Sequence, residues 1–498
     1  MRWLLLFLLF LLSPALAAEL FLFTPEGPLR GEARDGVGAV YGLAYGEAGR
    51  FTAPRPVEGL RQGPVRACPQ PPGLTARFGG SMPPQEEDCL QVQVYFPLKP
   101  PPPGGFPVMV FLHGGSFLSG SGAEPVYAAW RLAREGAVVF LPNYRLGALG
   151  FLALPALREE DPVAVGNYGL LDALLALRFI KRVAPYFGGS PEGLTLLGQS
   201  AGSMLTCTLL ALPEARRLVK GAILQSGGCA EVRPLEKDLE VGERVAAKAG
   251  CDPKDLTCLR RAPVRDLVPG GGGSLEATFF LSSPFKPHLN PRLLPKSPLE
   301  ALRDGEARGI PLLAGATAEE VPPGEGPRSW AGFAEALKGE KPGAREALLA
   351  HYQGRFQDPR RAYAAYQTER TLLCPTLKAA RVQMAFAPTH AYLFTFRVPG
   401  LEGLGAFHGL DLAPLFGNLQ EMPFLPLFLT REARERAEAL GKRMRRYWVA
   451  FAREGEPKGW PRWPLYREGF VLRLDDPLGL LPDPYGERCA LLEKLGLL

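Results

Sequence analysis

Ser200 lies in Gly198-Gln199-Ser200-Ala201-Gly202, between an apolar run ending at Leu197 and a stretch that reads as helix. A serine hydroxyl becomes a nucleophile when a neighbouring base takes its proton, and a sharp strand-to-helix turn is the backbone that presents it. That turn needs small residues two before and two after the serine, because a Cβ there collides with the adjoining strand or helix. The pattern alone is weak, since a chain with 58 glycines produces it by chance. A base, an acid and donors for a developing negative charge must be found elsewhere.

Five histidines are available as the base: His113, His288, His351, His390 and His408. His113 belongs to a glycine loop, His351 ends a helical stretch and His390 begins a strand, so each has a structural reading. His408, in the small-residue loop Gly405-Ala406-Phe407-His408-Gly409, is the leading candidate, with His288 behind it. The chain order serine, acid, histidine then puts the acid between Ser200 and His408. Glu319 and Glu320 follow a short strand and the turn Gly315-Ala316-Thr317, and the spacing does not choose between them. Backbone N–H groups for an oxyanion are expected from Gly114 and Gly115, after the apolar run to Leu112, and from Ala201, directly after the nucleophile.

The elements that must hold these residues alternate between strand and helix. Strand-length apolar runs at Val108–Leu112, Ala137–Leu141, Thr195–Leu197 and Gly221–Leu224 are separated by helical patterns at Ala123–Glu135 and Gly166–Val183. Leu90–Phe96 alternates as a half-buried strand does, and Leu20–Phe23 and Ala39–Ala44 read as earlier strands. Later come a strand at Ile310–Leu313, helical stretches Phe333–Tyr352 and Asp358–Phe386, a strand His390–Phe396 and a long helix Arg431–Arg453. This order predicts an α/β fold, with a large, mostly parallel sheet flanked by helices and catalytic groups at the C-terminal ends of the strands. No linker interrupts the chain, so residues 18–498 are expected to form one domain.

Residues 1–17 carry Arg2, an apolar run from Trp3 to Leu12 and Ala15-Leu16-Ala17, the pattern of a cleaved signal peptide. The apolar run is shorter than the roughly 20 residues of a spanning helix. A secreted or periplasmic protein with no membrane span after cleavage is expected. The formal charge of +6 has no clustered basic block, which argues against a nucleic-acid partner. With 51 prolines and asparagine only at positions 143, 167, 290 and 418, the composition fits a heat-stable protein. Eight cysteines without a Cys-x-x-Cys pair point to disulfides and not to metal ligation. Cys251 and Cys258 are close enough for a local loop, and Cys68 and Cys89 bracket a Pro- and Gly-rich stretch. Spacing decides no other pairing.

With these residues assembled, the chain resembles the type-B carboxylesterase family, the cholinesterase-like group of α/β hydrolases, over nearly its whole length. The matching motifs occur in order: Glu87-Asp88-Cys89-Leu90, His113-Gly114-Gly115-Ser116-Phe117, Asn143-Tyr144-Arg145 with Gly150-Phe151, and Gly166-Asn167 with Gly169-Leu170 and Asp172. Phe187-Gly188-Gly189, the Ser200 turn and Gln225-Ser226-Gly227 complete the set. The resemblance implies Ser200, Glu320 and His408 as catalytic residues, with the oxyanion donors named above and Ser226 supporting the acid. It also implies disulfides Cys68–Cys89, Cys251–Cys258 and Cys374–Cys489, leaving Cys207 and Cys229 as free thiols or a fourth bridge. Ion pairs Arg50–Glu87 and Arg145–Asp172 are implied as structural.

Three positions depart from the family pattern. Gln199 stands where Glu is usual and removes a negative charge beside the nucleophile, Val321 replaces a glycine after the acid, and Ser190 replaces an aspartate. The segment between Cys68 and Cys89 contains Phe78 but no tryptophan to hold a quaternary ammonium, so choline selectivity is not expected. Phe279, Phe280, Leu281 and Phe285 are candidates for an apolar acyl pocket or for ordinary core. The expectation is a serine carboxylesterase acting on a small-molecule ester without cofactor or metal. The alternatives are a lipase, amidase or carbamate hydrolase, or a non-catalytic cholinesterase-like binding protein.

Overall fold

In the computed structural model of the protein, residues 17–71, 81–229, 232–268, 283–322, 326–422, 425 and 429–498 are described. Most of the N-terminal leader, Phe78 and the pocket candidates Phe279, Phe280 and Leu281 lie outside them, while Phe285 is described and buried. The chain forms β1 (Ala18–Thr24), β2 (Gly27–Arg34), β3 (Val37–Glu47), β4 (Arg55–Gln62), β5 (Gln91–Pro97), β6 (Phe106–Leu112) and β7 (Val138–Pro142). Six more follow: β8 (Gly189–Gln199), β9 (Val219–Gln225), β10 (Leu312–Thr317), β11 (Thr389–Phe394), β12 (Phe470–Leu474) and β13 (Gly479–Pro482).

All thirteen join one sheet in the order β1-β2-β3-β5-β7-β6-β8-β9-β10-β11-β12-β13, with β4 paired to β3. From β7 to β12 every pairing is parallel, and the antiparallel pairs lie at the two ends. The expected large α/β sheet is therefore present, but as a mixed sheet: its centre is parallel, and the added hairpins and antiparallel strands at its ends make as many antiparallel pairings as parallel ones.

Residues alternate between the two faces of the sheet, as a period of two requires. In β6, Val108, Val110 and Leu112 join one apolar core, while Met109 and Phe111 join the other. The first core takes in α1 (Tyr168–Val183), α2 (Ala201–Leu210) and α3 (Cys374–Gln383), and the second takes in α4 (Arg431–Glu454). Covered on both faces, a central strand has no solvated side.

That explains where the alternation in Leu90–Phe96 misleads. All of β5 is buried, not half of it. Its two glutamine oxygens are matched by backbone donors: Gln93 Oε1 accepts from the Gly42 N–H at 2.9 Å, and Gln91 Oε1 accepts from the Arg66 N–H at 3.0 Å, while Gln93 Nε2 has no hydrogen-bond partner among the described residues. The helical pattern at Ala123–Glu135 shrinks to a 3-10 turn, Pro125–Tyr127, and the short helix Trp130–Arg134. Phe333–Tyr352 is split into helices Trp330–Ala336 and Pro342–Arg355, because Pro342 opens the second.

Both implied ion pairs form with two bonds each, Arg50 to Glu87 and Arg145 to a fully buried Asp172. The three implied disulfides are present, and Cys207 and Cys229 make a fourth, tying α2 to the segment after β9. The described residues hold no free cysteine, and none of their helices is long and apolar enough to cross a membrane.

The bridges differ in the length of chain they close, 115 residues for Cys374–Cys489 against 7 for Cys251–Cys258. Loop-closure entropy makes the first worth about 4 to 5 kcal/mol and the second about 2 kcal/mol. Replacing each pair by serine should therefore lower the unfolding free energy far more for Cys374 and Cys489. Urea unfolding checks this, and an equal loss from both pairs contradicts it.

Candidate active site

Four parallel strands deliver the candidate residues at their C-terminal ends: the adjacent pair β6 and β8 leads to Gly114 and Ser200, and beyond β9 the adjacent pair β10 and β11 leads to Glu320 and the loop bearing His408. Ser200 ends β8 and caps α2 with φ 57° and ψ −124°, a conformation side chains rarely adopt. Its amide donates to the carbonyl of Gln225 at 2.9 Å, and its carbonyl receives the N–H groups of Ser203 and Met204. A Cβ on Gly202 would overlap the carbonyl of Leu112, and one on Gly198 the carbonyl of Gly202. Both glycines of the motif are thus required by close backbone approach.

Glu320 is fully buried, and its carboxylate has two donors. The Thr317 N–H meets Oε1 at 2.9 Å, and His408 Nδ1 meets Oε2 at 2.5 Å. With Nδ1–H directed to the carboxylate, the other ring nitrogen carries the lone pair. The amide nitrogen of Gln199 lies 3.1 Å from that Nε2 and donates to it. Because Gln199 precedes Ser200, this contact puts Nε2 on the side of the turn at Ser200. Gly114 completes this contact: a Cβ on it would come within 2.7 Å of Gln199 Oε1 and 3.1 Å of Ser200 Cβ. Gly115 follows with φ 111°, and Ala201 is the first residue of α2.

Spacing left Glu319 and Glu320 undecided, and the structure gives them separate partners. Glu319 points to the backbone of the histidine loop, where Oε2 accepts from the Ala406 N–H at 2.6 Å and its own N–H donates to the Ala406 carbonyl at 3.3 Å. Arg397 pairs with its other oxygen. Glu319 holds the loop, and Glu320 holds the ring that the loop carries.

The remaining histidines sit in other settings. His113 is buried against Tyr144 with ring centroids 4.4 Å apart, and Nδ1 bonds the Gly114 carbonyl at 2.8 Å. Burial pushes its pKa down to about 4, against that hydrogen bond, so it stays neutral. His288 is buried with Nδ1 3.2 Å from Asp238, and its backbone exchanges hydrogen bonds with the Asn167 side chain. His390 bonds the Pro464 carbonyl, and His351 meets Arg355. Ser226 is buried with φ 52°, and its N–H donates to Gly315 at 2.8 Å; its hydroxyl has no hydrogen-bond partner among the described residues. Among those residues no cluster of three or more His, Cys, Asp or Glu side chains could hold a metal ion.

Sequence reasoning missed Asp411, a fully buried carboxylate three positions after His408. Its Oδ2 accepts from Gln225 Nε2 at 2.7 Å and from the Tyr392 hydroxyl at 3.0 Å, while Trp448 Nε1 donates to Gln225 Oε1 at 3.1 Å. An acid one turn beyond a loop histidine was the available signal.

The model of the carboxylesterase family matches residues 18–323 and 327–488. A para-nitrobenzyl esterase of Bacillus subtilis (strain 168) is 32% identical over 495 residues, covering 93% of this chain and 96% of that protein. A fumonisin B1 esterase of Sphingopyxis macrogoltabida is 32% identical over 416 residues, covering 79% and 74%. The solved structure of a thermophilic PNB esterase superposes with a TM-score of 0.80 at 30% identity, covering 95% of this chain and 99% of that one.

Burial pushes the Asp411 carboxyl up to about 6; the Gln225 amide opposes the shift, the Glu320 charge adds to it, and Tyr392 and His408 oppose it. An unfolded aspartate titrates near 4, so between about pH 4 and 6 the folded protein holds a proton that the unfolded chain has lost. Stability therefore falls as pH rises through that window, by about 3 kcal/mol in all. Asp411→Asn should remove this dependence and raise the unfolding free energy at pH 7.5 by about 1 to 3 kcal/mol. Urea unfolding at pH 4.5 and 7.5 measures both. A variant with wild-type pH dependence would show that another group titrates.

Proposed function

The chain belongs to the carboxylesterase family and hydrolyses carboxylic esters, and on that premise we propose that it does so through an acyl-enzyme formed on Ser200. The observation that carries this reading is the His408–Glu320 contact of 2.5 Å, with the opposite ring nitrogen turned toward the residue bonded to Ser200.

In the proposed cycle Ser200 Oγ attacks the ester carbonyl while His408 Nε2 takes its proton. The Gln199 amide, which donates to that nitrogen at rest, must yield it, since an N–H cannot face the imidazolium. Glu320 stabilises the charge on the ring through Nδ1–H. The N–H groups of Gly114, Gly115 and Ala201 receive the oxyanion, a role supported by the approach of Gly114 to Ser200 and by Ala201 opening α2. His408 then protonates the departing alcohol, and a water activated by the same nitrogen releases the acid. This chemistry uses side chains and backbone alone.

Among the described residues, Gln199 replaces a charge at the site with a neutral carboxamide, which favours uncharged esters over cationic ones. The reading extends to cell context: residues 1–17 act as an export signal, 18–498 form one hydrolase domain, and four disulfides suit an oxidising compartment.

Ser200→Ala should lower kcat/KM for p-nitrophenyl butyrate by at least ~1000-fold without loss of fold. Hydrolysis at the wild-type rate would rule out the serine mechanism. A panel varying acyl length and leaving group, with anilides and carbamates included, separates a carboxylesterase from a lipase, amidase or carbamate hydrolase.

A further inference from the structure

Glu369 is a fully buried carboxylate that the reaction does not use. It opens a single π turn, Glu369–Leu373, between the helix Pro359–Thr368 and α3. Three side chains satisfy it. The Tyr352 hydroxyl donates to Oε2 at 2.5 Å, Arg355 bonds both oxygens at 3.1 Å, and Arg488 Nε donates to Oε1 at 2.8 Å. Two guanidinium groups thus face one buried carboxylate, more than neutralisation needs.

Arg488 turns its Nη2 away from Glu369 and donates to the carbonyl of Ala318 at 3.1 Å. Ala318 belongs to the turn that carries Glu320. On the other side of that turn, the Val321 N–H donates to the Thr368 hydroxyl at 3.2 Å, and Thr368 is the neighbour of Glu369. The acid turn is thus gripped before and after Glu320 by one cluster. The cluster is itself fixed, because Cys489, next to Arg488, is bonded to Cys374 at the start of α3. Arg355 serves as a natural control. Its other partners among the described residues are His351 and the faces of Tyr352 and Phe356, and it makes no bond to the acid turn.

We propose that Arg488 is a positioning residue for the Glu320–His408 pair, acting through the Ala318 carbonyl while Glu369 fixes its guanidinium. The inference rests on the reading of Glu320 and His408 as acid and base for Ser200. A charge-assisted bond from a guanidinium held on a buried carboxylate is stiffer than a neutral turn contact. Loosening it shifts Glu320 relative to the imidazole, and misplacement of that order slows the chemical steps without weakening substrate binding.

The test compares Arg488→Gln, Arg488→Lys, Arg355→Gln and Ser200→Ala in the full chain. Turnover of p-nitrophenyl butyrate is normalised to the serine titrated by a fluorophosphonate in the arginine variants and to protein concentration in Ser200→Ala, and the melting temperature is recorded for each variant. Arg488→Gln should lower kcat ~10-fold with KM within about twofold of wild type. Arg488→Lys keeps the charge toward Glu369 but offers one nitrogen in place of a fork, so its kcat should also fall. Arg355→Gln should lower the melting temperature yet keep kcat within about twofold. The proposal is overturned if Arg488→Gln retains wild-type kcat, or if both glutamine variants lose kcat equally. Should Arg488→Gln not fold, Arg488→Lys decides, and wild-type kcat there overturns the proposal. Failure of the underlying reading looks different: Ser200→Ala would remain active.

Discussion

The chain reverses at Ser200 from strand to helix with a positive φ on a non-glycine residue, and the rest of the site is built around holding that turn. Strain of this kind costs on the order of 1 to 3 kcal/mol and persists only where the surroundings determine it. Here the surroundings are backbone. The Ser200 amide is tied to β9 through Gln225, and Gly202 lies against the carbonyl of Leu112 at the end of β6. Gly227 presses on the Ser200 carbonyl from the next strand's exit. Three parallel strands therefore share the turn, and a sheet covered on both faces keeps them from moving apart. The Cys207–Cys229 bridge adds a covalent tie between α2 and the segment containing Gly227.

Below the turn the protein keeps several carboxylates out of water, each with its own compensation. Glu320 has a backbone donor and an imidazole, Asp411 has an amide and a phenol, and Glu369 has two guanidinium groups and a phenol. Burying an unpartnered charge costs several kcal/mol, so such groups need donors fixed in advance. The partners are carried on different elements, which makes the polar network a set of cross-links between strands and helices. Asp411 is the least compensated: it has only neutral donors, Oδ1 has no partner among the described residues, and burial pushes its carboxyl up.

The fold class was legible because apolar runs of strand length alternate with helical patterns, and because Ser200 sits at a strand end with glycine on both sides. The motif pairing of Gly114 and Gly115 with that turn was legible for the same reason. Burial of β5 was not, since Gln91 and Gln93 look like solvent-facing positions until the backbone groups they bond are known. The edge strands β2 and β4 were not legible, because polar residues and glycine dominate both and little of either is buried. Arg397 and Arg488 were invisible as site residues because their partners lie 78 and 170 positions away in the chain.

The adjacent glutamates show where pattern stops and geometry begins. As sequence, Glu319-Glu320 is a pair of equal carboxylates after a turn, and nothing in the spacing separates them. In the folded chain their side chains leave the backbone in different directions. One enters the fully buried space beside His408 and meets the ring. The other stays near the surface, pairs with Arg397 and clasps Ala406 through both its backbone N–H and its carboxylate. As both are glutamates, position alone separates them: the one at 319 reaches Ala406 and Arg397, and the one at 320 reaches the imidazole of His408.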